Sequence, residues 1–575
     1  MIPAQRTYRW TIAVPPTPEV VRQFGADIRV PESIARILLD RGIDSFDRAR
    51  EYFRPSLDQL HDPFLMDGME TAVTRILNGI EHHEKFFVFG DYDVDGTNGA
   101  SMLYLFFKEL GVEAEYYTPD RIKEGYGISH QGIDLARRNG MKLFLAIDCG
   151  ITAVEQVAYA NSLGLDVIIC DHHEPGNELP AAIAILDPIM KGCKYPFKSL
   201  CGCGVGFKLI QGVARRLDRE SLITKYLDFV TLASTADIVP LVGENRVIAR
   251  FGLQSINENP RPGIKALIEA ADVRPGKIQT GQIVFILAPR INAVGRLGDA
   301  MRAVRLLTST DPVEAASLAA IMEEENRTRR KLDEDTFLEA QQIAEKFYSG
   351  DNDAALVLHD GNWHPGVVGI VASRMVEKYY KPSIMMATVD GVAKGSARSI
   401  SGFDVYQALK RCEEKIIQFG GHKYAAGLTV EIARLDEFRD AFNIAVRELM
   451  SEEMKTPEMR IDVEIGFADI TPRFRTLLNE FAPFGPGNMR PVFLTRDIEV
   501  IGSPRIVGKN HLRFKVRQNG CVFDAIGFGL GERLKDIVGR RDLQLVYTVE
   551  ENDWTPSGDA RSGQTTAQLK VKDLR

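Results

Sequence analysis

Residues 86–107 read FFVFGDYDVDGTNGASMLYLFF. Phe86–Phe89 is apolar throughout. Asp91, Asp93 and Asp95 follow at alternate positions, then Gly96, and the chain is apolar again from Met102. A short apolar run without polar alternation reads as a strand buried on both faces, and Gly99–Leu110 reads as the helix after it. The pattern recurs. Leu143–Ile147 and Val167–Cys170 are further strands, Ile183–Leu186 is another candidate, and Ala153–Leu163 is a helix between them. Strands interleaved with helices imply an α/β fold with a parallel sheet covered on both faces, here over residues 76–305.

Working outward, residues 1–75 read as a helical lead-in. "YLDFVTLASTADIVPL" reads as a helix running into a loop. Residues 311–348 contain no glycine and one proline, at the start. They read as a long charged helix, part of a connector over 306–348. A smaller α/β domain is expected over 349–450, with strands in "AALVLHD" and "PSIMMATV". Residues 455–575 show short alternating strands with turn signals, as in an OB-like β-barrel.

In open parallel sheets, ligands bind beyond the carboxyl ends of the strands. The first strand ends in Asp91, Asp93 and Asp95, and the second in Asp148, in "LAIDCG". The third ends in Asp171, His172 and His173, in "VIICDHHEPG". Asp237, in "STADIVP", closes a helix. So many like charges in one cleft repel unless cations compensate them. Carboxylates with imidazole and no thiolate suit Mn²⁺ or Mg²⁺. The ligands suffice for two ions with a bridging carboxylate, the arrangement that supports in-line attack at phosphorus. Gly96 is expected to let backbone approach a phosphate at the helix N-terminus. Cys201-x-Cys203 has no second pair at zinc spacing and reads as small residues in a glycine-rich loop.

Seven cysteines among 575 residues do not make a disulfide framework. "MIPAQRTYRWTIAVPP" has no apolar core of a signal peptide, and no run is long enough to span a bilayer. A cytoplasmic protein without a membrane partner is expected. The net charge of −8 argues against nonspecific coating of a polyanion. The charge is uneven, however: residues 455–575 carry 19 Lys and Arg against 16 Asp and Glu. Residues 501–520, IGSPRIVGKNHLRFKVRQNG, contain Arg505, Lys509, Arg513, Lys515 and Arg517 and no acid. Such strands suit a barrel that tracks a phosphate backbone, with Phe514 expected to stack on bases.

The series "DYDVDG", "DCG", "DHH" and "STADIVP" resembles the four motifs of the DHH phosphoesterase superfamily. The resemblance implies that Asp93, Asp95, Asp148, His172 and Asp237 hold two divalent cations, Mn²⁺ or Mg²⁺, with Asp148 as the bridge. It makes Asp95, Asp148, His172 and His173 the catalytic group, His173 touching the scissile phosphate. Asp91 supports the ligands or joins them. Many members have histidine where this chain has Phe89, which would leave one ion short of a protein ligand. "KGSARSISGFDVYQAL" and "FGGHKYAAGLTV" are similar to the DHHA1 substrate-binding domain. Ser396, Arg398 and the Gly420, Gly421, His422 turn would then take a terminal phosphate. "WHPGVVGIVASRM", "PRINAVGRLGDA", "DRIKEGYGIS" and "FAPFGPGNMRPVF" resemble the RecJ exonuclease branch. That branch implies 5′→3′ release of mononucleotides from single-stranded DNA in repair and recombination. Arg121, Tyr126 and Arg296 would hold the strand, with a single-strand-binding protein and a helicase as partners. The alternatives are an oligonucleotide or cyclic-dinucleotide phosphodiesterase, a manganese pyrophosphatase, or a replication scaffold without catalysis.

Overall fold

The computed structural model describes residues 7–14, 16–348, 353–551 and 567–575. The first six residues of the N-terminal stretch, and residues 349–352, with which the smaller α/β domain was expected to open, lie outside these.

The chain opens with β1 (Arg9–Ile12) and the helices Pro18–Asp27, Glu32–Asp40 and Phe46–Phe53. The catalytic sheet contains β2 (Phe86–Gly90), β3 (Ala114–Tyr117), β4 (Leu143–Ile147), β5 (Asp166–Cys170) and β6 (Ala184–Leu186). All five are parallel, in the order β3-β2-β4-β5-β6. From β2 the chain crosses one way to β3 and the other way to β4. The switch point, where such sheets open a crevice, therefore lies between β2 and β4. β2 is buried along its whole length. Phe86 and Val88 enter one core, while Phe87 and Phe89 enter the opposite one. Every residue of β3, by contrast, is half-buried, so the sequence carried no apolar run to announce it.

The Pro312–Phe347 helix has 36 residues, a span of about 54 Å at the α-helical rise. It packs on the catalytic domain at one end and on the Val368–Tyr379 helix of the second domain at the other. That domain holds β7 (Leu356–Asp360), β8 (Ser383–Val389), β9 (Val392–Arg398), β10 (Gln418–His422) and β11 (Ala425–Glu431), in the order β10-β11-β9-β8-β7.

After β12 (Glu458–Ile461) and β13 (Val463–Glu464) comes a barrel of β14 (Phe493–Val507), β15 (His511–Gln518), β16 (Cys521–Gly527), β17 (Leu543–Glu551) and β18 (Ala567–Leu574). Its order is β14-β15-β16-β18-β17, closed by pairing of β17 with β14. Only the β16–β18 contact in this ring is parallel. This is OB-fold topology.

The barrel corrects two expectations. Phe514 is only 3% exposed and sits in the barrel core. Side chains alternate along a strand, so Leu512, Phe514 and Val516 point inward while Arg513, Lys515 and Arg517 point out. Phe514 therefore cannot stack on bases. Nor are residues 1–75 one lead-in. Val21, Phe24, Ile34, Ile37 and Leu38 share the barrel core with Phe474, Phe493 and Tyr547, and β1 pairs with β12. Residues Leu60 and Met66 and the helix before β2, Met69–Glu81, pack instead into the catalytic core.

The barrel side also docks on the catalytic domain. Leu241 N–H donates to Pro486 O at 2.7 Å, and Thr280 Oγ1 to Phe484 O at 2.6 Å. The Arg246 guanidinium lies 3.9 Å from the Tyr52 ring centre and donates to the carbonyls of Tyr52, Glu480 and Phe481. No described helix is long and apolar enough to cross a membrane.

Candidate metal centre

The loop after β2 is tied up locally. Asp93 caps the Val94–Glu109 helix, and its Oδ1 accepts from the N–H groups of Asp95 (2.9 Å) and Gly96 (3.1 Å). These were the donors expected to meet a phosphate, and Asp93 consumes them. Gly96 has a different purpose: a Cβ there would run into the backbone of Asp91. The glycine lets the helix start directly beneath the acidic loop.

Asp95 is buried. Its oxygens accept from Gly202 N–H (2.6 Å) and Cys203 N–H (2.8 Å). The Cys201–Cys203 segment is therefore not a loop. Cys201 caps the Gly202–Arg216 helix, and that helix's positive N-terminus holds the carboxylate. A Cβ on Gly202 would stand 2.6 Å from Asp148 Cα, so only glycine lets the helix come this close. Sequence reasoning missed this support. Its one signal was the small-residue run CGCG ahead of an apolar helix.

β4 delivers Asp148 with φ +61°, a left-handed conformation uncommon for a non-glycine residue and typical of functional sites. β5 delivers Asp171, His172 and His173. Asp171 accepts from Ile151 N–H (2.9 Å) through Oδ2, and from His172 N–H (2.8 Å) and His173 Nδ1 (2.7 Å) through Oδ1. It fixes the His173 ring and the backbone of His172. Asp237 caps the C-terminal end of the Leu227–Ala236 helix. His172 Nε2 lies 3.1 Å from Asp148 Oδ1, 3.7 Å from Asp95 Oδ2 and 3.8 Å from Asp237 Oδ2.

Three sets of ligand atoms converge within 4.8 Å: Asp95, His172 and Asp237; Asp91, Asp93 and Asp148; and Asp148, His172 and His173. Asp148 belongs to the last two sets, and its Oδ1 lies 3.1 Å from His172 Nε2 of the first, as a bridging carboxylate would. Asp91 stands among potential ligands rather than behind them, and its buried Oδ1 has no hydrogen-bond partner among the described residues. That orphaned oxygen and the all-oxygen-and-imidazole donor set fit a hard divalent cation such as Mn²⁺ or Mg²⁺. Phe89, meanwhile, faces away and stacks on Phe144 at 5.6 Å between ring centres.

Burial and crowding shift the titration of the whole cluster. Burial, then the neighbouring carboxylates, pushes Asp148 well above the ordinary carboxylate range. Asp91 and Asp95 also rise, each through burial first. Asp237 is pushed up to about 8 by burial and by Asp95 and Asp93. Burial lowers His172 and so favours the neutral imidazole a metal needs. His173 is also buried, but the Asp171 carboxylate outweighs that and lifts it to about 9. Two adjacent histidines are thus shifted in opposite directions.

The residues expected to hold a strand gather beside this centre. Tyr126 donates to the Asp148 carbonyl (3.1 Å) and lies 3.3 Å from His173 Nδ1. The Arg121 guanidinium stands 4.9 Å from the Tyr92 ring centre. Arg296 donates to Gly366 O at 3.0 Å, and Arg398 to Ser396 Oγ at 2.6 Å. Burial, then Arg121, Arg329 and Arg398, lowers Arg296 to about 10. Burial and then Arg121 lower Arg398. Arginines from both α/β domains therefore stand within electrostatic reach of one another, and Arg329 of the long helix, which the sequence did not single out, joins them.

Gly420, Gly421 and His422 are not in a turn. They form the exposed edge strand β10, because the reversal comes after His422 and pairs it back onto Ala425. The register still aligns them with the arginine side: Ser396 pairs with Gly427, which pairs with Gly420. On the barrel, Arg505 lies opposite Arg513, and Lys509 and Lys515 are exposed. Arg517 is partly neutralised by Glu499 at 2.7 Å.

Comparison with known proteins gives the same picture. Models of the DHH family N-terminal domain, the DHHA1 domain and the RecJ OB domain match residues 85–234, 352–448 and 461–573. The single-stranded-DNA-specific exonuclease RecJ of Bacillus subtilis is 36% identical over 98% of this chain and 70% of its own length. The Salmonella typhimurium RecJ is 33% identical over 95% and 96%. The crystal structure of Thermus thermophilus RecJ with Mn²⁺ superposes with a TM-score of 0.84 at 27% identity, covering 99% of this chain and 79% of that one. By sequence, domain order and fold, the chain belongs to the RecJ family of DHH exonucleases.

Proposed function

We propose that this protein is a metal-dependent exonuclease on single-stranded DNA that releases mononucleotides from the 5′ end. The observation that carries this reading is Asp148, strained at the sheet's switch point and shared by two sets of ligands. Its relatives named as single-stranded-DNA-specific exonucleases, and the neighbour solved with Mn²⁺, support it.

Asp91, Asp93, Asp148, Asp95, His172 and Asp237 would hold two divalent cations. When bound, such a pair polarises a phosphodiester and provides a nucleophile from water at neutral pH. The chain's own residues do the rest. Asp171 fixes His173 through Nδ1, which leaves the Nε2–H of a cationic ring to donate to a phosphoryl oxygen, where charge develops. Tyr126 holds the strand against His173. Ser396, Arg398, Arg296 and Arg121 take the terminal phosphate, guanidinium forks being suited to it. The basic face of β14 and β15 tracks the strand leading in. With a net charge of −8, recruitment by a single-strand-binding protein and a helicase in the cytoplasm, during repair and recombination, completes this reading.

The test is digestion of single strands labelled at the 5′ or the 3′ end, with Mn²⁺, Mg²⁺ or EDTA. Label released first from the 5′ end, and only with metal, is expected. Initial loss of 3′ label, or preference for dinucleotides over long strands, would refute the assignment.

A further inference from the structure

With Phe514 inside the barrel, the base-stacking role lacks a side chain. We propose that Phe528 and His511 form that platform, at the tip of the β14–β15 hairpin. This rests on the nuclease reading above and names where the incoming strand is gripped.

Phe528 follows β16 directly and is 57% exposed. Its ring meets that of His511 edge to face, with centres 5.0 Å apart. The pair is fixed. Gly529 N–H donates to His511 Nδ1 at 3.2 Å, Asn510 Nδ2 to Gly529 O at 3.3 Å, and Gly531 N–H to Asn510 O at 3.2 Å. The segment after β16 is thus laced to the hairpin turn, and the His511 ring is held before any ligand arrives. Such pre-ordering reduces the entropy lost on binding.

The surroundings select the ligand. His511 pairs opposite Val507 and Arg513 opposite Arg505, so alternation puts His511, Arg513 and Arg505 on the same outer face of the barrel. Lys509 occupies the turn, and among the described residues neither it nor Arg505 forms an ion pair. An exposed apolar ring bordered by cations matches a chain that alternates flat bases with phosphates. In an OB fold, the turn between the first two strands and the outer face of the second and third are where oligonucleotides bind.

The test uses the full-length protein in EDTA, so that binding is measured without cleavage. Phe528→Ala is expected to weaken binding of a fluorescent oligothymidylate about tenfold, and to leave binding of an abasic strand of equal length unchanged. Phe528→Trp should show indole quenching when oligothymidylate is added. Cleavage of a dinucleotide with Mn²⁺, which does not reach the barrel, should match wild type in both variants. Unchanged oligothymidylate affinity, equal losses for the abasic strand, or an unquenched indole would overturn the platform. Failure of the wild type to cleave any DNA would instead overturn the nuclease reading.

Discussion

At the scale of single residues, the centre is a set of acids forced together and left under-compensated. Asp148 is the sharpest case, being buried, in a left-handed backbone conformation, and closest to His172. Asp148→Ala and His172→Ala are each expected to bring cleavage below detection while circular dichroism and melting remain near wild type. Nuclease rates close to normal in saturating Mn²⁺ would show that the bridge lies elsewhere. A pH dependence follows from the raised acids. Between about pH 4, where a carboxyl ionises in the unfolded chain, and about 8, where Asp237 ionises in the fold, the folded metal-free protein binds more protons than the unfolded one. Stability then falls as pH rises. Melting in EDTA should therefore drop through this window, and added Mn²⁺ should raise Tm most at its upper end. A Tm in EDTA that rises from pH 5 to 8 would mean that these carboxyls are not crowded. Most of the converging acids and His172 were legible because they follow apolar strands. The positions of Asp91 and of the Gly202–Cys203 amides were not, since both depend on how close two helices approach the loop.

At the scale of elements, strand alternation and helix starts decided what could be read. β2, β4 and β5 are continuous apolar runs and were plain in the sequence. β3 is an edge strand and was silent. "GGH" looked like a turn because two glycines suit one, yet the cross-strand register makes it a strand. The basic residues of β15 point outward, but the buried parity of Phe514 needed the hairpin register. One element also links the barrel side to the metal loop. The 484–488 turn packs on residues 240–242, just after Asp237, and a Cβ on Gly485 would stand 2.5 Å from Leu241 Cδ1. Asp237 is the more exposed candidate ligand, its side chain 30% accessible against 1% for Asp95, and Ile238 behind it is left-handed at φ +60°. Gly485→Val should push this loop and weaken Mn²⁺ binding about tenfold, the scale of losses from disturbed metal supports. Calorimetric Mn²⁺ titration checks this, and an unchanged affinity would show that the turn does not brace Asp237.

At the scale of the molecule, the two ends of the chain build one body. The helices before residue 54 complete the barrel core, and Arg246 ties that unit to the catalytic domain. No local sequence pattern could reveal this, because amphipathic helices advertise an apolar face but not its partner, here more than 400 residues away. Leu38 is fully buried in that shared core. Leu38→Ala should cost about 2–5 kcal/mol, the usual range for a large-to-small core change, and the loss should appear in the barrel. Hydrogen exchange would then speed up in β14–β18 while β2, β4 and β5 stay protected. Faster exchange in the catalytic sheet instead would place these helices in the other core.

The central claim, two cations caged by acids from separate strands and a helix, has a direct test in crystals grown with Mn²⁺ and measured at the manganese absorption edge. Two anomalous peaks are expected on either side of the Asp148 carboxylate, about 3.5–4 Å apart as in other two-metal sites. No peak there, or a single one that leaves Asp91 and Asp93 without a partner, would contradict it.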